Sequence, residues 1–128
     1  MSKKQQYLEN GKALKGYDPV SVYKGIPVLG AEEINSRYED AIYQFGNLEN
    51  KEEFDRDPEK FSPKYGGYCS IAVSEGVLVE ANPLSALVQD NELHVFYKDD
   101  AEDTQDEWRE KPIENKIAAD AQWEKLNV

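Results

Sequence analysis

The segment that decides the fold spans residues 43–76 and reads YQFGNLENKEEFDRDPEKFSPKYGGYCSIAVSEG. Asn47 is a favourable N-cap, so the residues that follow it predict a helix over 48–56. Asp57 and Pro58 predict a second, shorter helical turn, because aspartate favours the cap and proline favours the first helical position. The aromatic core anchors expected on these two helices are Phe54 and Phe61.

Outside this segment, sequence periodicity predicts two β-hairpins. Apolar and polar residues alternate over 34–45 and again over 86–97, as they do in strands with one buried face. Residues typical of strands also predict two shorter strands, over 20–23 and 77–80. The sequence shows neither an internal repeat nor a low-complexity linker.

A long helix is predicted to close the domain from Pro112 onward. Apolar residues recur there at a spacing of four, which predicts a buried stripe. The stripe consists of Ile113, Ile117 and Ala121. Together the elements predict one α+β domain over 12–128, in which a small antiparallel sheet of hairpins packs with short helices and the C-terminal helix. A flexible N-terminal arm is predicted over 1–11.

Composition excludes several classes of function. The 128 residues are 39% hydrophobic, which is enough for one domain with a buried core. The net charge of −11 repels phosphate groups, so neither nucleic acid nor an anionic membrane is an expected partner. The single cysteine excludes an internal disulfide framework. The N-terminus lacks an apolar signal-peptide core, which predicts a soluble, cytoplasmic protein unless an export signal has been removed.

The segment quoted first resembles the YHS domain. That family combines an aromatic strand, a short helix with a phenylalanine, and a Pro-Glu-Lys-aromatic turn. Here the three features are Tyr43 and Phe45, Phe54, and PEKF at 58–61. Further motifs resemble the stand-alone YHS domain-containing proteins. They are GYDPV at 16–20, GGYC at 66–69 and ADAQW at 119–123. The similarity extends over about residues 12–127.

This resemblance implies a binding module linked to heavy-metal handling. YHS domains occur in copper-transporting ATPases and beside some hydroxylases, so copper or another transition metal is the candidate cofactor. The family's metal site depends on two cysteines spaced Cys-x-x-x-Cys in the turn from strand to helix. At those positions this chain has Gly46 and Asn50. The paired thiolates are therefore absent.

Cys69 is the central candidate of the predicted ligand pocket. Its thiol is a ligand for soft metals and a site of oxidation when exposed, whereas a buried cysteine acts as a small hydrophobic side chain. His94, the only histidine, is the candidate second metal ligand, with an outward-facing strand position as the alternative. The other candidates are Tyr17, Asp18, Tyr65 and Tyr68. The tyrosines would line a cleft or pack at the edge of the core, and Asp18 would form a turn or act as a base.

Three functional hypotheses follow. The first is a soluble, non-catalytic YHS-type module that binds a metal ion or small molecule around Cys69. The second is a protein-interaction module whose partner is another protein or a second copy of the chain. The third is a redox protein or enzyme that uses Cys69, although the sequence contains no recognisable catalytic motif. An exposed thiol beside a concave pocket favours the first or third hypothesis, and a fully buried thiol with no pocket favours the second.

Overall fold

The computed structural model describes residues 5–126 and confirms the predicted α+β class. The elements are α1 (Pro19–Tyr23), β1 (Ala31–Tyr38), β2 (Ala41–Phe45), α2 (Leu48–Arg56), α3 (Pro58–Phe61), α4 (Ser70–Ser74), β3 (Asn82–Gln89), β4 (Glu92–Phe96), α5 (Gln105–Glu110) and α6 (Pro112–Leu126). Tight turns at Ala13–Gly16 and Lys64–Gly67 precede α1 and α4. The two predicted hairpins form separate two-stranded antiparallel sheets, β1–β2 and β3–β4. None of the helices in 5–126 has both the length and the apolar character needed to cross a bilayer.

The chain contains an internal structural repeat, so the predicted absence of a repeat is wrong. Strand β1 begins at residue 31 and β3 at residue 82, which is 51 positions later, and β2 and β4 are related by the same offset. The pairing registers of the two hairpins match at every position, including the bulge. We call residues 12–62 the first unit and residues 63–126 the second unit.

Backbone hydrogen bonds also recur between the units. The amide of Asp18 donates to the carbonyl of Val28 at 2.9 Å, and the amide of Cys69 donates to that of Val79 at 2.9 Å. Between 12–45 and 63–96, six residue pairs related by the offset are identical. They are Gly16/Gly67, Tyr17/Tyr68, Val22/Val73, Gly25/Gly76, Val28/Val79 and Phe45/Phe96. The repeat is therefore far clearer in the backbone than in the side chains.

Each unit has a core centred on one large aromatic ring. The ring of Phe54 lies 4.7 and 5.3 Å from two rings of β2, and the ring of Trp108 lies 4.9 and 5.6 Å from two rings of β4. The four strand residues are Tyr43, Phe45, His94 and Phe96. Phe54 and Phe61 are both buried, as predicted.

The two helices predicted after Asn47 and after Asp57 are confirmed, but the predicted cap of the second is wrong, because the Asp57 side chain forms no capping hydrogen bond. Helix α2 begins and ends as expected, and the Asn47 side chain accepts a hydrogen bond from the Asn50 amide at 2.8 Å. The two short strand predictions are wrong. Residues 19–23 form α1, because Asp18 caps that helix and Pro19 occupies its first position. Residues 77–80 form no strand.

Helix α6 is present, but its predicted buried face is wrong. Ile113 is 73% exposed and Ile117 is 66% exposed. The inward face consists of Ala119, Trp123 and Leu126, which pack against the core of the second unit. Packing of α6 against α4 selects this face, and the spacing of apolar residues alone could not identify it.

The N-terminal segment packs against both units from Gln5 onward. The amide of Tyr7 donates to the carbonyl of Gly66 at 2.9 Å. The side-chain amides of Gln5 and Gln6 donate to the carbonyls of Leu126 and Glu39, each at 2.6 Å. We call residues 5–8 the N-terminal strap. Residues 1–4 of the predicted flexible arm lie outside the described residues.

Candidate functional site

A groove of about 250 Å³ lies where the two units meet the N-terminal strap. The first unit contributes Ala13, Leu14, Tyr38, Glu39, Tyr43, Glu59 and Ser62. The second unit contributes Pro63, Lys64, Tyr65, Gly66 and Trp123, and the strap contributes Gln6 and Tyr7. A junction between two structural units is a common place for a ligand site.

Aromatic rings on both sides of the groove are held by further aromatic contacts. In the first unit, the rings of Tyr38 and Tyr43 lie 6.2 and 4.7 Å from the ring of Phe54. In the second unit, the rings of Tyr65 and Trp123 lie 5.9 Å apart at an angle of 62°. Because each ring is packed on its own side, the groove is preformed.

Three non-glycine residues that line this groove have left-handed backbone conformations, and one of them, Glu39, belongs to the β1–β2 turn. The other two are Leu14 and Tyr65. Leu14 has φ 55° and Tyr65 has φ 57°, and the two occupy equivalent positions in the repeat. A side chain with a Cβ in this conformation costs about 1–2 kcal/mol. Such strain is concentrated at functional sites in proteins. Its occurrence in both halves of the groove favours a functional role for this surface.

The groove tyrosines keep their hydroxyl protons at neutral pH. Burial raises the pKa of Tyr43 to about 12; the nearby Glu39 carboxylate adds to this effect and a hydrogen bond with Ser62 opposes it. Burial also raises the pKa of Tyr65, as does the hydrogen bond from its hydroxyl to Asp120 at 2.7 Å. Both side chains therefore remain neutral.

Of the predicted pocket residues, the structure places only Tyr65 in the groove. Cys69 is 1% exposed, and its Sγ lies 3.4 Å from the Thr104 hydroxyl. Tyr17 and Tyr68 are half-buried against the core of the second unit. Tyr68 acts on the groove indirectly, because its hydroxyl donates to the Gln6 carbonyl of the strap at 3.3 Å.

Asp18 is a fully buried helix cap whose acceptors are all engaged. Its Oδ1 accepts from the amides of Val20 and Ser21 at 2.9 and 3.1 Å. Its Oδ2 accepts from the Gly46 amide and the Asn50 side chain, both at 2.8 Å. A carboxylate with four donors stabilises the fold and is poorly placed to remove a proton from a ligand.

The residues present do not fit the thiolate metal centre that the YHS resemblance implies. Gly46 and Asn50, which stand at the two cysteine positions, both donate to the Asp18 carboxylate. Within residues 5–126, no group of three or more His, Cys, Asp or Glu side chains is arranged to hold a metal ion. The predicted pair of Cys69 and His94 therefore lacks a third ligand in this part of the chain.

His94 faces the interior, so the outward-facing alternative is wrong. The side chain is 0% exposed, and its Nδ1 lies 3.0 Å from the buried Ser70 hydroxyl. Its Nε2 has no hydrogen-bond partner among the described residues. Burial lowers the pKa of His94 to about 4. The Ser70–His94 pair resembles part of a catalytic arrangement, but neither residue lines the groove.

Sequence reasoning missed most of the groove, because its residues come from five distant segments. Tyr38 was expected only as a hairpin residue, and Tyr43 and Trp123 were noted as parts of family motifs but not as residues of a ligand site. One signal was present in the sequence. The dipeptide Gly-Tyr occurs at 16–17, in GYDPV, and at 67–68, in GGYC. Pairing these two dipeptides would have placed Leu14 and Tyr65 at matching sites.

Comparisons with protein-family models, with curated proteins and with solved structures found no match for this chain.

Proposed function

We propose that this chain is a non-catalytic, YHS-type binding module whose ligand site is the groove between its two units. The observation that carries the proposal is the aromatic lining, in which Tyr7 of the strap, Tyr38 of the first unit and Trp123 of the second unit are half-buried. Tyr43 and Tyr65 are only 2% and 3% exposed and support these rings from the core. Large, pinned aromatic surfaces around a concave site are typical of small-molecule recognition. The proposed ligand site therefore lies beside the tight turn at Lys64–Gly67, which contains Tyr65, and not around Cys69.

Several contacts support the non-catalytic part of the proposal. The nucleophiles that could act with His94 or alone, Ser70 and Cys69, are both sealed in the interior. The Asp18 carboxylate is saturated by hydrogen bonds. Catalysis requires reactive groups within reach of a bound substrate, and none of these buried residues lines the groove.

The proposal of a YHS-type module rests on the sequence motif and on the structural role of the motif residues. Phe54 and Phe61, which the resemblance singles out, are the buried anchors of the first unit. PEKF at 58–61 forms α3 and ends beside the groove residue Ser62. The motif therefore has a structural role in shaping the groove, whether or not a metal binds.

A protein-interaction module is the second candidate. The observation in its favour is a set of strongly exposed aliphatic side chains in the first unit. They are Ile26, Val28, Leu29 and Leu48. These residues lie outside the groove, so substitutions in the groove would leave this kind of binding intact.

A fragment screen by two-dimensional NMR tests the leading proposal. We expect small aromatic and heterocyclic fragments to shift the backbone amides of Tyr38, Tyr43 and Gly66. Tyr38→Ala removes one aromatic face and should weaken binding about tenfold, which corresponds to about 1.4 kcal/mol.

Tyr97→Ala is the matched control, because Tyr97 is also half-buried but lies outside the groove. It should leave the affinity unchanged. Fragments that cluster elsewhere, for example around Cys69, would refute the proposal.

A further inference from the structure

The groove carries an excess of negative charge. Glu39 and Glu59 line it, and within residues 5–126 neither carboxylate forms an ion pair. Lys64 is the single basic residue among the described lining residues, and its Nζ lies 3.3 Å from a Glu92 carboxylate oxygen. The positive charge in the groove is therefore already neutralised, while two negative charges are not.

Aromatic rings at and beside the groove already hold ammonium groups. The Nζ of Lys64 lies 5.6 Å from the centroid of the Tyr65 ring. On neighbouring α3, the Nζ of Lys60 lies 5.3 Å from the ring of Tyr23 and 5.1 Å from that of Phe61. These distances are within the range of cation–π attraction, which strengthens as the cation loses water.

The two carboxylates act on the same tyrosines that line the groove. The pKa of Tyr38 is raised by burial first and then by the charges of Glu39 and Glu59. The carboxylates are thus close enough to this ring for their charge to be felt there. A cation on the ring face would be attracted by both the aromatic ring and the carboxylates.

We propose that the groove binds a small methylated ammonium ion, an inference that rests on the proposed function. A fully methylated, quaternary ammonium group presents no N–H donors, so aromatic faces and diffuse negative charge suit it better than a hydrogen-bonding pocket. A volume of about 250 Å³ is below the range of about 300–1,000 Å³ usual for drug-sized ligands. The net charge of −11 attracts cations to the protein and disfavours anions.

Three isosteric probes test the charge requirement. Choline carries a trimethylammonium group, 3,3-dimethyl-1-butanol replaces its nitrogen with carbon, and 3,3-dimethylbutanoate carries the opposite charge. In NMR titrations at low ionic strength, choline should bind about tenfold more tightly than the neutral alcohol. Choline should shift the amides of Tyr38, Tyr65 and Gly66, and the anion should not bind.

Charge-neutral variants test the two carboxylates. Glu39→Gln and Glu59→Gln should each weaken choline binding about threefold and leave binding of the alcohol unchanged. Glu49→Gln is the control, because Glu49 is exposed on α2 and does not line the groove. It removes the same charge from the protein and should leave the choline affinity unchanged.

The outcomes separate this inference from the proposed function. Equal affinity for choline and the alcohol, or no binding of choline while neutral fragments occupy the groove, would overturn the ammonium inference alone. No binding of any small molecule to the groove would overturn both.

Discussion

His94 is a buried titratable residue with a direct consequence for stability. Its environment also contains charged groups, since Glu92 and Asp120 raise its pKa, while Lys116 and Lys64 lower it. Burial exceeds these opposing effects and lowers the folded-state pKa to about 4. As the pH is lowered, His94 in the unfolded chain therefore takes up a proton near its ordinary pKa of 6.5, whereas His94 in the folded chain does so only near pH 4.

Stability should fall as the pH is lowered through this window. The contribution of neutral His94 is fully present above about pH 6.5 and is lost progressively toward pH 4; the total is on the order of 3 kcal/mol. The free energy of unfolding, measured with urea across this pH range, should rise with pH in the wild type, and His94→Phe should remove this dependence. An identical slope in the variant would show that other groups cause the pH dependence.

At the level of elements, helix α6 gives a clear test of which face is buried. Trp123 packs against Tyr65 and Tyr68, so Trp123→Ala should cost about 2–3 kcal/mol, somewhat less than a fully buried aromatic residue. Ile117 is exposed, so Ile117→Ala should change stability by less than about 0.5 kcal/mol. Equal losses in urea unfolding would support the stripe predicted from sequence.

The elements differ in how far sequence could predict them. The start and the approximate end of helix α2 were predicted correctly, because an asparagine cap and a proline restart are local signals. Helix α1 was mistaken for a strand, because Val20, Val22 and Tyr23 favour strands and outweighed the local cap that Asp18 forms with the Val20 and Ser21 amides. The buried face of α6 depends on α4, which lies distant in sequence. Local chemistry therefore predicted α2 but not the type of α1, and tertiary packing decided which face of α6 is buried.

For the whole molecule, the repeat explains why the candidate site escaped sequence analysis. Two units with the same backbone pairing carry different side chains at most equivalent positions, for example Tyr43 and His94. Both side chains are buried, but Tyr43 borders the groove and His94 does not. The groove forms only where the two units pack together, so no single segment of the sequence could reveal it.

The N-terminal strap provides a test of how this junction is held together. A Cβ at Gly66 would lie 2.1 Å from the backbone carbonyl oxygen of Gln5, so Gly66→Ala should displace the strap. Gly67→Ala is the matched control: φ is positive at both glycines, but the nearest contact of a Cβ at Gly67 is 3.4 Å away, on Pro63. Both variants should lose about 1 kcal/mol from backbone strain.

Hydrogen exchange separates the steric effect from the strain. The Tyr7 amide donates to the Gly66 carbonyl, so its protection should fall at least tenfold in Gly66→Ala and remain within about twofold of wild type in Gly67→Ala. Because Gln6 and Tyr7 line the groove, Gly66→Ala should also weaken any groove ligand. Equal protection of Tyr7 in the two variants would mean that the strap is not held by its close approach to Gly66.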